Sequence, residues 1–235
     1  MHRIDKEIFN ITRVQIDVLE PQCVVTPFQD ATMGPFHNFG LAILTLTDEN
    51  GITGEVPVYS TYNNILETCL LPILLHCGDL PYSELYQRLY WSIRNEGYRG
   101  PAAAILGQVD LALHDLAAKR NSLPLHKYLG GATDSVKFYG SGGGTNYSFQ
   151  DLETEVAYFI NAGADCYKMK VGKAFGTNME EDVRRVKFVK GLLGNQVKLA
   201  VDANQIWTCE QARFPTPLPR LLLVGASALW ENAWS

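Results

Sequence analysis

Apolar and polar positions change rhythm three times along this chain. Ile11 to Leu19, Leu41 to Leu46 and Thr53 to Val58 are β-branched or alternate apolar with polar, and "DENG" separates the last two runs. Such alternation around a turn sequence predicts a small antiparallel sheet containing a hairpin. The intervening "PQCVVTPFQDATMGPFHNFG" has the proline and glycine content of a long loop, a type of segment that is often functional or mobile. From about Asn63 to Lys119 the apolar spacing becomes helical, with breaks at "HCGDLPY" and "NEGYRG". The clearest helix is "PAAAILGQVDLALHDLAAKR": Pro101 suits a first turn, and Ile105, Val109, Ala112 and Leu116 recur at steps of three and four. "NSLPLHKYLGG" ends it and reads as a domain junction.

Beyond residue 135 strands and helices alternate. "VKFYGSG", "CYKMKVG" and "VKLAVDAN" read as strands, "DLETEVAYFINAG" and "MEEDVRRVKFVKGLLG" as the helices between them. Repeated βα units with apolar strands predict a parallel sheet covered by helices. The tail breaks this rhythm, because Pro215, Pro217 and Pro219 fall where the next helix should run.

Composition narrows the class. With 235 residues, 46% hydrophobic and 19% charged, the chain can bury the core of one large or two modest domains. A formal charge of −5 and the lack of a Lys/Arg block argue against a nucleic-acid binder and favour work on small molecules. The five cysteines (Cys23, Cys69, Cys77, Cys166, Cys209) are odd in number and never spaced C-x-x-C, which fits reduced thiols. "MHRIDKEIFN" has charges where a signal peptide needs its apolar run, and no segment approaches about 18 uninterrupted apolar residues. A cytoplasmic protein without membrane association is expected.

Candidate chemistry sits at the predicted strand ends. Alternation in "CYKMKVG" puts Lys168 and Lys170 on one face, about 6 to 7 Å apart, with Met169 and Val171 on the other. A half-exposed strand would do this for solubility; a functional strand would aim two cations at one substrate. Asp202 and Asn204 close the next strand, and in parallel α/β folds functional groups gather beyond such C-terminal ends. Asp and Asn after a strand also suit an ordinary turn or helix cap. Asp202 can supply an oxygen to a hard cation such as Mg²⁺, and a desolvated lysine near other cations has its neutral form favoured, as a general base needs. Together they suggest carbon-acid chemistry, with metal and lysine sharing the charge of an enolate.

"YKMKVG" followed about thirty residues later by "VDANQIW" resembles the enolase superfamily, in its mandelate racemase and muconate lactonizing enzyme branch. The likeness extends over most of residues 10 to 211 and includes "GQVDLALHDLAAKRNSLPLHKYLGG" and the glycine-rich "YGSGGG". It implies an α+β N-terminal capping domain (1–130), then the start of an α/β (β/α)-barrel (131–211), incomplete in this chain, and a divergent tail (212–235). It also implies a Mg²⁺-dependent enzyme that removes a proton α to the carboxylate of a small-molecule substrate, and a homo-oligomer for the full-length family. Sites of this kind use a lysine or histidine base with one or two Mg²⁺ ions. By this resemblance Lys170 would be the acid/base, and Lys168 would contact the substrate carboxylate and help keep Lys170 neutral. Asp202 would be the first metal ligand and Asn204 a nearby active-site amide. Thr26, Phe28, Thr32, Met33 and Phe39, with Tyr59, would belong to loops that close over substrate and set specificity. The implied outcome is dehydration or racemisation of a hydroxy acid or sugar acid, dehydration being the narrower expectation. The alternatives are a cycloisomerase or epimerase lineage, or a truncated, non-catalytic fragment.

The sequence also departs from this family. A complete barrel takes about 250 residues, and well under half of that follows Ser135. The family's next two strands should each end in a metal-binding glutamate, and a later one should carry an opposite-face base. None is identifiable: Glu210 falls in the next helix, and Glu231 lacks a strand-end context. The change comes abruptly after "TCEQA" and reads as a change of reading frame or an aberrant exon rather than gradual divergence. Codons permitted for Leu223 to Ser227 read Trp-Trp-Glu-Pro one base on, similar to the family's fourth-strand ending. With one carboxylate where three are expected, and an open sheet edge, weak Mg²⁺ binding and low stability are expected of the chain as given.

Other signals read as structural. "GSGGGTN" lacks the glycine spacing of a dinucleotide fingerprint and the Gly-Lys-Ser/Thr of a P-loop, so it reads as a pocket-lining loop. His114 and Asp115 are adjacent and diverge on a helix, which favours a helix-surface or capping role over a dyad. Arg184, Arg185, Lys187 and Lys190 read as a solvated helix face, paired with Glu180 and Glu181 one turn away.

Overall fold

A computed structural model describes residues 3–59, 63–212 and 221–224. The chain forms two compact units: Met1–Gln22 with Gly40–Asp134, and Cys23–Phe39 with Ser135–Ser235. The strands as far as residue 81 are β1 (Ile8–Phe9), β2 (Ile11–Val18), β3 (Gln22–Phe28), β4 (Phe36–Phe39), β5 (Ala42–Asp48), β6 (Thr53–Val58) and β7 (Leu80–Pro81). The helices as far as residue 128 are α1 (Asn63–Ile65), α2 (Leu71–Leu75), α3 (Tyr82–Ser92), α4 (Pro101–Arg120) and α5 (Leu125–Tyr128), with a π-helical turn at Leu66–Leu70.

In the first unit β2, β5 and β6 form the predicted antiparallel sheet, and β1 pairs with β7. Alternate residues of β5, Ala42, Leu44 and Leu46, are buried. Asp48 fixes the "DENG" turn: one carboxylate oxygen accepts the Asn50 and Ile52 amides at 2.9 and 2.8 Å, and the other accepts Arg120 Nε at 2.7 Å. Helix α4 buries Ile105, Val109, Ala112 and Leu116 as its spacing predicts. It approaches β6 so closely that a Cβ on Gly54 would lie 2.0 Å from the Ala112 carbonyl oxygen. His114 pairs not with Asp115 but one turn back with Asp110, whose carbonyl stands 2.9 Å from Nδ1. Asp115 instead accepts the Glu55 amide and Lys119, at 2.9 and 2.8 Å.

The second unit corrects the reading of residues 21–40 as a loop: β3 and β4 pair as a two-stranded sheet. Pro27 is tolerated because a two-stranded ribbon leaves one side of each strand without a ladder partner. The turn is built on Asp30, whose carboxylate accepts the Thr32 and Met33 amides at 2.7 and 2.6 Å.

The parallel series follows: β8 (Gly140–Gly142), α6 (Phe149–Asn161), β9 (Cys166–Lys170), α7 (Met179–Leu193), β10 (Lys198–Asp202), α8 (Cys209–Ala212) and β11 (Leu221–Val224). The four strands lie in the order β11-β10-β9-β8, so this is the beginning of a barrel, open at β8 and β11 among the described residues. Strand β8 is shorter than "VKFYGSG" predicts, since its pairing with β9 begins only at Gly140 opposite Tyr167. Strand β11 lies just after the three prolines of the tail. Glu210 lies in α8, as its position implies, and Glu231 is outside the described residues. Leu152 and Val156 of α6 and Val186 and Val189 of α7 pack on Tyr167, Met169, Val171, Leu199 and Val201.

Arg185 overturns its reading as part of a solvated face. It is 1% exposed, and its acidic neighbour is Asp182 at 3.7 Å, while Glu181 pairs with Arg184 at 3.1 Å. No helix among the described residues is long and apolar enough to cross a membrane.

Candidate active site

Strand parity assembles the site. Tyr167, Met169 and Val171 point into the core beneath α6 and α7, which sends Lys168 and Lys170 to the other face of β9. In the parallel register Lys170 stands beside Asp202 of β10, and Lys168 stands between Ala200 and Ser141 of β8. Two residues along a strand share a face, so one carboxylate can reach both ammonium groups.

It does reach both. Asp202 Oδ2 accepts from Lys170 Nζ at 2.8 Å and from Lys168 Nζ at 3.1 Å. Oδ1 accepts the backbone amide of Asn204 at 3.0 Å. The three residues are only 8 to 9% exposed, so the lysines are not a solubility feature. Lys168 also stands 5.9 Å from the ring centre of Tyr139. Asn204 takes positive φ, 46°, and its side-chain oxygen is buried without a hydrogen-bond partner.

Burial alone would raise the Asp202 carboxyl, but hydrogen bonds from Lys170, the Asn204 amide and Lys168 outweigh it and hold the group below its ordinary 3.8. A carboxyl depressed by folding adds stability above its unfolded value, and the contribution is lost as pH falls through the folded value. The urea midpoint of this chain should therefore fall as pH drops below 3.8, and Asp202→Asn should show a shallower fall over that range. Unfolding curves across that window check this.

The hairpin β3–β4 rests on the same strand ends. Thr145, just after β8, donates its amide to the Gln29 carbonyl at 2.7 Å and its hydroxyl to the Asp30 carbonyl at 2.9 Å. Ala31 is buried against Gly172, where a Cβ would meet the Ala31 Cβ at 2.8 Å. This places Thr32 and Met33 directly after the docked turn. Thr26 lies near Asp151 and helps Ser148 hold that carboxyl below its ordinary range, and Phe28 sets its ring edge-on to Tyr147 at 6.2 Å. Phe39, half-exposed, stacks on Phe36. Tyr59 belongs to the first unit, after β6, and is 55% exposed.

A Mg²⁺ ion takes six oxygens, usually with one or two carboxylates and several waters among them. Asp202 is an oxygen donor of the right kind, and Asn204, whose backbone amide bonds it, carries a buried side-chain oxygen without a hydrogen-bond partner. The residue in register with Asp202 on β11 is Val224, and no group of three His, Cys, Asp or Glu able to hold a metal occurs among the described residues. What is described is one ligand of such a site rather than a complete one.

Sequence reasoning missed the residues behind the lysines: Asp182 and Arg185 of α7, Glu155 of α6, and Tyr167. A signal existed, since Asp182 and Arg185 fall on the stripe that Val186, Val189 and Leu193 bury, three and four residues apart.

Residues 13–130 match the mandelate racemase/muconate lactonizing enzyme N-terminal domain, and residues 151–214 match the enolase C-terminal domain-like family. The chain belongs to the mandelate racemase/muconate lactonizing enzyme family of the enolase superfamily. Arabinonate dehydratase of Saccharolobus solfataricus is 35% identical over 149 residues, 63% of this chain and 39% of that protein. The 3,6-anhydro-alpha-L-galactonate cycloisomerase of Streptomyces coelicolor is 30% identical over 208 residues, 86% of this chain and 56% of that protein. A solved racemase from Streptomyces coelicolor with bound magnesium superposes at a TM-score of 0.78 and 30% identity, covering 86% of this chain and 57% of that one. The chain thus spans about half, or less, of the length of these family members.

Proposed function

We propose that this chain carries the first half of a Mg²⁺-dependent enzyme that abstracts the proton α to the carboxylate of a sugar acid, leading to dehydration. The observation that carries the reading is the buried cluster of Lys168, Lys170 and Asp202 at the ends of β9 and β10. A sugar-acid substrate fits the dehydratase and cycloisomerase relatives, and dehydration follows the arabinonate dehydratase.

Lys170 Nζ takes the proton from the α-carbon, and the C–H electron pair moves toward the substrate carboxylate. The Lys168 ammonium binds that carboxylate and stabilises the negative charge developing on it, more strongly in a dry site than in water. Asp202 would be one ligand of Mg²⁺, which would supply Lewis-acid stabilisation of the same charge. Loss of the β-hydroxyl, carrying a proton from an acid, gives an enol that becomes the 2-keto acid. Return of a proton to the α-carbon instead gives racemisation. Thr26, Phe28, Thr32, Met33 and Phe39 shape the substrate's surroundings, and the Asn204 amide contributes a polar contact.

A second reading, a non-catalytic fragment, is favoured by Val224 standing where a further carboxylate would flank Asp202. Calorimetric titration with Mg²⁺ separates the two. Binding heat that disappears in Asp202→Asn supports the enzyme reading; no heat from the native chain supports the fragment.

A further inference from the structure

We infer that Arg185 is a positioning residue for the Lys168–Lys170 strand, holding from behind the backbone that aims Lys170. The guanidinium lies on the core side of β9, opposite the ammonium groups. Nη1 donates to the Lys170 carbonyl at 3.1 Å, and Nη2 donates to the Gly143 and Gly144 carbonyls at 3.0 and 2.5 Å. One planar group therefore ties the end of β9 to the turn that follows β8. The Gly143 carbonyl also accepts the Lys170 amide at 3.1 Å, so both peptide groups flanking the Lys170 side chain are held.

The neighbouring groups complete a frame. Asp182, 0% exposed, accepts the Gly172 and Lys173 amides at 2.9 and 3.1 Å and stands 3.7 Å from Arg185. Glu155 accepts the Gly143 amide at 2.6 Å and the Tyr167 hydroxyl at 2.5 Å. Helices α6 and α7 each send an acidic side chain to the loops on which the lysines depend. Gly143 has φ of +66°, and a Cβ there would lie 2.4 Å from the Met169 Cβ, so this turn accepts only glycine.

Burying a guanidinium is costly, and well-packed apolar groups often do as well or better for stability. Val186, Val189 and Leu193 show that α7 covers the sheet with apolar residues elsewhere on this stripe. An arginine here makes sense for geometry: a rigid fork satisfies several carbonyls at fixed angles, whereas a lysine is a flexible point charge.

The inference rests on the proposed function only in naming Lys170 the base, and its test reads no turnover. Amide hydrogen exchange is followed by NMR in the whole chain, in native, Arg185→Lys and, as control, Arg184→Ala forms. Arg185→Lys should accelerate exchange at the Lys170 amide by about tenfold relative to β10 amides and shift the Lys170 Cε resonance but not that of exposed Lys198. Arg184→Ala should do neither. Should the lysine variant fail to fold, Arg185→Gln carries the same comparison. Equal acceleration at Lys170 and across β10, or an unchanged Lys170, would overturn the inference. Whether Lys170 is the base is decided separately, by the Lys170→Met measurement below.

Discussion

On the proposed function, replacing Lys170 by Met is expected to lower sugar-acid turnover by about 10²- to 10⁴-fold, the usual contribution of a positioned general base. Met keeps much of the stem's volume and removes the amine proposed to take the proton. Its partner residue should behave differently. Lys168→Met removes the charge proposed to bind substrate before and during reaction, so KM should rise as well as kcat fall. Steady-state kinetics on both variants checks this, and equal, purely KM effects would sink the assignment of roles.

The second large effect is on folding. Asp202→Ala removes the carboxylate that both buried lysines bind, at 2.8 and 3.1 Å, and should destabilise by about 3 to 5 kcal/mol, as breaking a buried pair usually does. The triple variant Lys168→Met, Lys170→Met, Asp202→Leu replaces the whole cluster by apolar groups and should be close to neutral, or more stable by about 1 to 4 kcal/mol. That contrast would show that the charges are present for chemistry rather than for stability. Urea unfolding of the two variants measures it, and a triple variant as unstable as Asp202→Ala would contradict it.

Much of the site was legible because period-2 alternation is a local property. "CYKMKVG" on its own fixes which face Lys168 and Lys170 share, and the "VKLAVDAN" strand supplies the neighbouring carboxylate. What stayed hidden depends on partners distant in sequence. The β3–β4 hairpin looks like loop because Pro27 and Pro35 dominate its composition, while its pairing and its docking on Thr145 are tertiary. Strand β8 ends up short because its partner begins pairing only at Gly140. Arg185 looked solvated because charge weighed more than its position on the buried stripe of α7. Its acceptors are backbone carbonyls, which leave no mark in a sequence.

The most direct test of the central claim is deuterium exchange at the α-carbon of a sugar acid in D₂O with Mg²⁺, followed by proton NMR for the native chain and Lys170→Met. Loss of the α-proton signal with the native chain and its retention with the variant are expected if Lys170 is the base. Exchange by Lys170→Met at the native rate, or none with the native chain, would contradict it.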